Sequence, residues 1–449
     1  MKPKAAYRTG TEERYNFTRE ENERLTRVGS GTLMGNLFRQ YWIPVTPAAD
    51  LSEPGGRPLR VKLLGEELVL FRARNGQVGL IGAFCPHRLG PLFYGRVEEE
   101  GLRCPYHGWK FAPGGKCLEM PNIPAGQWFT DEIRHPGYPC REHGGIIWAY
   151  LDSAQEPPFL PDFEFLRVSD ANRNYRLFFQ ECNYLHVLEG GIDPTHVMWL
   201  HSPYDLSDEE LAAQQQPDQQ QAANKSGART PLDIAIADTA GGFTYGARRP
   251  AGAGKNLWRV NQFIMPFYTM PPGGDQKQAR AYIPVDDESC VKWQIKWYPS
   301  HDIKQSSTET LRPPFAEEAY DPPTNSAPFG HIRTKAKKSN DYLIDWGTHG
   351  SRRLGVAGVN LQDVCVTENE GPAPILDRTQ EHLCSGDSTI VKARLMLLAA
   401  AKALRERGAM PAGARDPSVY RVRGCSTIVS DNVDWVEGVK DEVTVAAPD

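Results

Sequence analysis

A chain of 449 residues is too long for one small core, so two or more domains are implied. Its formal charge of −5 is spread evenly, which excludes the profile of a nucleic-acid binder or a polybasic membrane protein. No apolar run approaches the roughly 20 residues needed to span a bilayer. The opening "MKPKAAYRTGTEERYNF" has no apolar signal core. Nine scattered cysteines, an odd number, suit a reducing cytoplasm better than a disulfide framework.

In chain order, residues 1–39 read as a helical segment. "REENERLTRVGSGTLMGNLFRQYW" is amphipathic and ends near Tyr41. From Ile43 the texture turns to short β-like runs. "LRVKLLGEELVLFR" alternates around Gly65, Asn75-Gly76 is a strong hairpin turn before "QVGLIGAF", and "GGIIWAYL" is a further strand. Residues 40–155 therefore form a small all-β unit, with "QEPPFLPDF" (155–163) as a linker behind it. In residues 156–449 a helical stretch over 182–188 is expected to break at Gly190-Gly191. "QQQPDQQQAANKSGA" (214–228) is low-complexity and reads as a surface loop. "WRVNQFIMPFYTMPP" and "CVKWQIKWYP" are aromatic-rich strands, and "RPPFAEEAYDPPTNSAPFG" is a proline-rich connection. "STIVKARLMLLAAAKALRERG" (388–408) is the clearest helix, with glycine where a C-terminal stop belongs.

Two groups of metal-ligating residues stand out. "CPHRLG" and "CPYHGW" supply Cys85, His87, Cys104 and His107. Structural zinc accepts two thiolates and two imidazoles, but zinc fingers tend to pair like with like in each knuckle. Here each loop offers one of each. The pair can give both thiolates to one iron and both imidazoles to the other, the ligand set of a Rieske [2Fe–2S] centre.

The second group is "GGIDPTHVMWLH". Pro194 cannot donate to the carbonyl of residue 190, so a new turn is expected with Asp193 as N-cap and Pro194 at the first helical position. His196 and His201 are five residues apart, a step of about 140° on an ideal helix. They converge on one metal only if the helix ends or bulges between them. Non-haem Fe(II) oxygenases add one carboxylate to two histidines and leave positions open for O2.

With "LTRVGSGTLMGNLFRQYWIPV" near the start, "EGGIDPTHVMWLH" in the middle and "LQDVCVTENEGPAPILDRTQEHL" downstream, most of the chain resembles a Rieske non-haem iron ring-hydroxylating oxygenase of the phthalate dioxygenase group. The resemblance implies an α+β fold: a β-sandwich Rieske domain and a helix-grip-like catalytic domain of antiparallel sheet and helices. It makes Asp193 a bridging acid, His196 and His201 iron ligands, and Asp363, after Gln362, the third ligand. Asn183 and Glu189 fall where the family keeps polar supporting residues. The chain departs from the pattern at Leu89, where glycine is common, and at His186, where an amide is usual; His186 reads as a satisfied core histidine.

The implied activity is hydroxylation of an aromatic substrate with O2, most simply cis-dihydroxylation of an aromatic carboxylate. O-demethylation of a methoxyaromatic acid shares the same ligands, and a bare electron carrier is disfavoured by the second iron motif. Electrons come from NAD(P)H through a separate flavin reductase. Homotrimers or stacked trimers are implied, in which the Rieske centre of one chain serves the iron of its neighbour. Arg248 in "YGARRP" is the expected grip on a substrate carboxylate, the alternative being a surface ion pair.

Overall fold

The computed structural model describes residues 17–152, 155–201, 232–300, 320–347, 349 and 354–447. The loop expected at 214–228 lies outside these residues, as does the proline-rich connection before residue 320. Among the described residues the N-terminal helical segment is two short helices rather than one. Helix α1 (Arg19–Thr26) starts from a capping box between Thr18 and Glu21, and α2 (Leu33–Phe38) starts from Thr32, whose hydroxyl accepts from the Gly35 amide. Between them Gly31 turns the chain at φ 81°, a conformation that a side chain disfavours. Both helices pack on the C-terminal part of the chain. Asn22 donates to the Leu376 carbonyl at 3.0 Å, and the Tyr184 hydroxyl to that of Leu25 at 2.8 Å.

The all-β unit follows. Its strands are β1 (Trp42–Pro47), β2 (Leu59–Leu63), β3 (Glu66–Arg72), β4 (Val78–Gly82), β5 (Arg96–Val97), β6 (Leu102–Arg103), β7 (Lys110–Phe111), β8 (Cys117–Glu119), β9 (Gly137–Tyr138), β10 (Cys140–His143) and β11 (Ile146–Tyr150). They make three antiparallel sheets, ordered β1-β11-β10, β2-β3-β4-β9 and β5-β6-β7-β8. Leu63 pairs with Glu66, so Leu64 and Gly65, both at positive φ, form a two-residue hairpin turn. Val69, Phe71, Ile81, Leu102 and Phe111 build a core of their own that also encloses Cys85 and Cys104.

Beyond the linker, α3 (Glu164–Arg167) leads into β12 (Arg173–Gln180), α4 (Tyr184–Ile192) and α5 (Val197–Leu200). Five strands follow the next described stretch: β13 (Asp233–Thr239), β14 (Gly242–Pro250), β15 (Lys255–Ile264), β16 (Tyr268–Met270), β17 (Lys277–Pro284), and then β18 (Cys290–Trp297) completes the run. The C-terminal part adds α6 (Val359–Thr367), α7 (Ser388–Arg407), β19 (Cys425–Ser430) and α8 (Trp435–Val443). The strands form one antiparallel sheet ordered β12-β18-β17-β16-β15-β14-β13, with β19 paired to β15. Helix α4 lies against β16, β17 and β18, α6 packs on α4, and α7 packs on α1 and α2. This is the expected α+β architecture, an antiparallel sheet gripped by helices.

The expected break at Gly190-Gly191 does not occur, because α4 runs through both glycines to Ile192. Their role is close approach. A Cβ on Gly191 would stand 1.9 Å from the Tyr282 hydroxyl oxygen, and one on Gly190 would meet Thr367 Cγ2 at 3.3 Å. The glycines let the helix settle onto β17 and α6, which brings its C-terminal end to the site. Helix α7 ends as the sequence predicts, with Gly408 in the left-handed conformation.

Candidate metal centres and active site

At the tip of the N-terminal unit two loops face each other. Cys85 and Cys104 are buried, while His87 and His107 sit further out with ring centroids 4.5 Å apart. The loops are matched turns: the Cys85 amide donates to Gly90 and the Leu89 amide back to Cys85, while the Cys104 amide donates to Trp109 and the Gly108 amide back to Cys104. Gly108 takes φ 79° and Leu89 takes φ 56°. The departure at residue 89 is thus a leucine held in a left-handed turn that glycine would adopt without strain, at a cost of about 1–2 kcal/mol. Its side chain is 71% exposed. Trp109 stacks on His87 at 4.7 Å and 8°, and its indole N–H donates to Asn122. The Nδ1 atom of His87 is buried without a hydrogen-bond partner among the described residues. Two buried thiols beneath two outward imidazoles, one with an orphaned nitrogen, fit a group bridging the loops.

The second constellation forms where α4 ends. Asp193 is the C-cap of α4 and not the expected N-cap of the next helix: α5 begins at Val197 with His196 as its N-cap, and Pro194 lies in the bend before it, so Asp193 holds that bend instead. Its carboxylate accepts from the Thr195 amide (2.6 Å), the Thr195 hydroxyl (2.6 Å) and the His196 amide (3.2 Å). Asp193 Oδ2 also lies 3.4 Å from His196 Nδ1, an ion-pair distance without hydrogen-bond geometry. Burial works against the charge on Asp193, but the His196 ring and the Thr195 donors outweigh it and hold the carboxyl below its usual range.

The helix α5 is only four residues long, and His196 and His201 flank it as its two caps. The five-residue spacing converges because the helical turn stops there. The imidazoles of His196 and His201 and the carboxylate of Asp363 offer ligand atoms within 4.8 Å of one another. Asp363 Oδ1 is 3.0 Å from His201 Nε2 and 3.7 Å from His196 Nε2. The other nitrogen of His201 faces Gln362 Oε1 at 2.8 Å, and the Gln362 amide N–H donates to the Val356 carbonyl at 3.0 Å. That chain makes Gln362 an acceptor, puts a proton on Nδ1 of His201 and leaves Nε2 as the lone pair facing Asp363. Burial alone would raise the Asp363 carboxyl; Lys292, His201, His196 and Arg280 instead hold it well below the usual carboxylate range.

A cleft of about 460 Å³, counting its mouth, adjoins these atoms. Val187, Leu200 and Val366 give it apolar walls, and Arg280, Lys292, Glu370 and Tyr282 add polar groups. Arg248 does not line it. Its guanidinium pairs with Asp233 across β13 and β14, and both side chains are about half exposed. The expected carboxylate grip is therefore placed on the surface, because residue 248 falls on the strand face turned away from the site.

Sequence reasoning placed Glu189 among the supporting polar residues but passed over the partners that hold it against α4. Glu189 lies buried between two buried arginines. It accepts from Arg378 Nη2 at 3.0 Å and from Arg394 Nε and Nη2 at 2.6 and 2.8 Å, while Arg394 also reaches Glu381. These are the arginine and glutamate of the "DRTQEHL" stretch together with one from α7. Arg280 and Lys292 were missed too. The available signal was a cation flanked by apolar residues within a strand, Arg280 between Ala279 and Ala281 and Lys292 between Val291 and Trp293. His186 is a satisfied core histidine, with Nδ1 donating to the Thr367 carbonyl and Nε2 accepting from the Leu376 amide, both at 3.1 Å. Burial and nearby Arg378 lower it to about 4, so it is neutral.

Fold and paired Cys–His loops together define a Rieske [2Fe–2S] protein with a separate catalytic domain. Residues 41–135 match the Rieske [2Fe-2S] domain family, and residues 149–447 the family described as LigXa C-terminal domain like. The chain is 35% identical to the 3-chlorobenzoate-3,4-dioxygenase oxygenase subunit of Comamonas testosteroni, covering 93% of this chain and 96% of that one. It is 32% identical to the phthalate 4,5-dioxygenase oxygenase subunit of Pseudomonas putida (96% and 99%). It is 31% identical to the 5,5'-dehydrodivanillate O-demethylase oxygenase subunit of Sphingobium sp. (94% and 89%). Among solved structures, Pseudomonas putida CBB5 NdmA shares the fold at a TM-score of 0.55 and 19% identity, covering 90% of this chain and 100% of that one. The terminal oxygenase of carbazole 1,9a-dioxygenase from Novosphingobium sp. KA1 does so at 0.54 and 18% (86% and 99%). The chain belongs to the Rieske ring-hydroxylating oxygenases, as an oxygenase subunit of the phthalate dioxygenase-like group, and is an oxidoreductase. No helix among the described residues is long and apolar enough to cross a membrane.

Proposed function

We propose that this chain is the terminal oxygenase of a cytoplasmic system that hydroxylates an aromatic carboxylate with O2 and electrons drawn from NAD(P)H through a separate flavin reductase. The observation that carries it is the convergence of His196, His201 and Asp363 beside a cleft with apolar walls and two cationic side chains. Cys85, Cys104, His87 and His107 would hold the [2Fe–2S] cluster, and His196, His201 and Asp363 one Fe(II). Bound there, the cluster supplies single electrons and the iron supplies O2 activation. The chain itself does the positioning. Val187, Leu200 and Val366 bury a flat ring and exclude water, and Arg280 meets its carboxylate. Arg280 lines the cleft, so its guanidinium is placed to pair with a carboxylate bound there.

Assembly as a homotrimer, or as stacked trimers, completes the reading. The surface near the cluster loops carries Phe84, Leu89, Tyr94 and Tyr106, each 45–71% exposed, a patch suited to burial against a second copy. Asp193, with its carboxylate beside His196, would then link to His87 or His107 of the neighbouring chain. O-demethylation of a methoxyaromatic acid is the second reading, favoured by the O-demethylase subunit among the relatives. The test is O2 uptake and product analysis with a surrogate reductase, NADH and a panel of benzoates, phthalates and methoxybenzoates. Coupled consumption with a cis-diol, or with formaldehyde, decides between the two readings. No coupled product from any aromatic acid would overturn both. Arg280→Met should raise KM for the best acid while Arg248→Ala leaves it unchanged.

A further inference from the structure

Lys292 stands in the middle of β18 with its side chain 2% exposed, between Val291 and Trp293, which are also buried. Burying an ammonium costs several kcal/mol, and methionine would fill the same volume without that cost. Its Nζ lies 3.4 Å from Asp363 Oδ2. The two oxygens of this carboxylate therefore have different surroundings. Oδ1 faces the nitrogens of both histidines, and Oδ2 faces the lysine. Lys292 stands opposite Tyr282 on one side and Phe178 on the other, and Asp363 is the carboxylate that its ammonium pairs with. Arg280, which lines the same cleft, adds a second positive charge near Asp363.

We infer that Lys292 is a positioning residue that occupies Oδ2 of Asp363, so that the carboxylate offers a bound metal one oxygen rather than two. The inference rests on the proposed iron site. A carboxylate free to chelate would take one more position on the metal, and the open positions are where O2 and substrate must fit. The lysine gives up metal affinity, since it competes for the carboxylate and repels a dication, and keeps a position open.

The test uses the full-length protein with its cluster oxidised, Fe(II) as the metal and nitric oxide as the stand-in for O2, read by the electron paramagnetic resonance of the high-spin nitrosyl. Lys292→Met should hold Fe(II) against a chelator about tenfold more tightly than wild type, yet bind nitric oxide about tenfold more weakly. Lys292→Arg, which keeps the cation, should behave as wild type in both. A folded Lys292→Met protein with unchanged or weaker iron retention, or with unchanged nitric oxide binding, overturns the inference. If that variant does not fold, a crystal structure of the iron-loaded wild type decides: both Asp363 oxygens at about 2.2 Å from the metal refutes the lysine's role, and one oxygen supports it. Failure of the iron site itself is separable, because His201→Ala would then retain Fe(II) as wild type does.

Discussion

Glu189 is the buried carboxylate on which the end of α4 depends, and replacing it by glutamine removes its charge while keeping its volume. Burial opposes ionisation, but the charges and hydrogen bonds of Arg378 and Arg394 prevail and lower Glu189 from 4.5 to about 2. At 1.36 kcal/mol per unit, this corresponds to about 3 kcal/mol of stability at neutral pH. The direct argument gives a similar size. Arg394 keeps Glu381 after the change, but Arg378 keeps no ion-pair partner among the described residues, and stranding a buried charge costs roughly 3–5 kcal/mol. For a domain spanning residues 149–447 the unfolding entropy is on the order of 0.6 kcal/mol per kelvin, so Glu189→Gln should melt about 5 °C below wild type at pH 7. The sign with pH follows from a depressed carboxylate. The contribution is complete above about pH 4.5 and disappears as the pH falls toward 2, so the gap between the two proteins should close over that window. Calorimetry of both proteins at several pH values measures it. A Glu189→Gln protein melting within about 1 °C of wild type at pH 7 would refute the clamp.

Gly191→Ala forces a methyl onto the Tyr282 hydroxyl and should cost on the order of 1–3 kcal/mol, with partial recovery in the Gly191→Ala/Tyr282→Phe double variant, where the clashing hydroxyl is gone. No recovery in its melting temperature would place the strain elsewhere. Cys104→Ser should abolish the Rieske absorption and low-temperature resonance signal, whereas Asp363→Ala should lose mononuclear iron and turnover with the cluster intact; metal analysis of each variant checks both. Asp193→Asn keeps the carbonyl that caps the turn and should fold with both centres filled, yet oxidise its cluster orders of magnitude more slowly in single turnover. Burial and the nearby Glu189 raise Glu370 to about 8, so this wall of the cleft is neutral at pH 7 and becomes anionic above that value. KM for an aromatic acid should therefore rise as the pH passes about 8, and Glu370→Gln should flatten that limb; a profile unchanged by the variant excludes Glu370 as its origin.

How much of this was legible in the chain differs from residue to residue. The paired Cys–His loops were readable because their ligands lie close in sequence, each loop holding a thiolate and an imidazole a few positions apart. His196 and His201 were readable for the same reason, although their convergence needed a helix that stops after four residues. Asp363 is 162 residues beyond His201 in a long chain rich in acids, and only the resemblance of "LQD" singled it out. Local rules misread Gly190-Gly191, because a glycine pair breaks an isolated helix, whereas here packing against Tyr282 and Thr367 outweighs propensity. Arg248 looked like a substrate grip from its stretch of sequence, yet the pleat of β14 turned it outward to Asp233. Motif spacing alone pointed to the Rieske centre, and the change in sequence texture near Ile43 marked off the small all-β unit that carries it. Tertiary structure alone decided which cations reach the cleft, since Arg280 and Lys292 acquire meaning only when β17 and β18 are laid beside α4 and α6. Side-chain direction on a strand is a local property, but what lies across from it depends on the whole sheet and the helices that cover it.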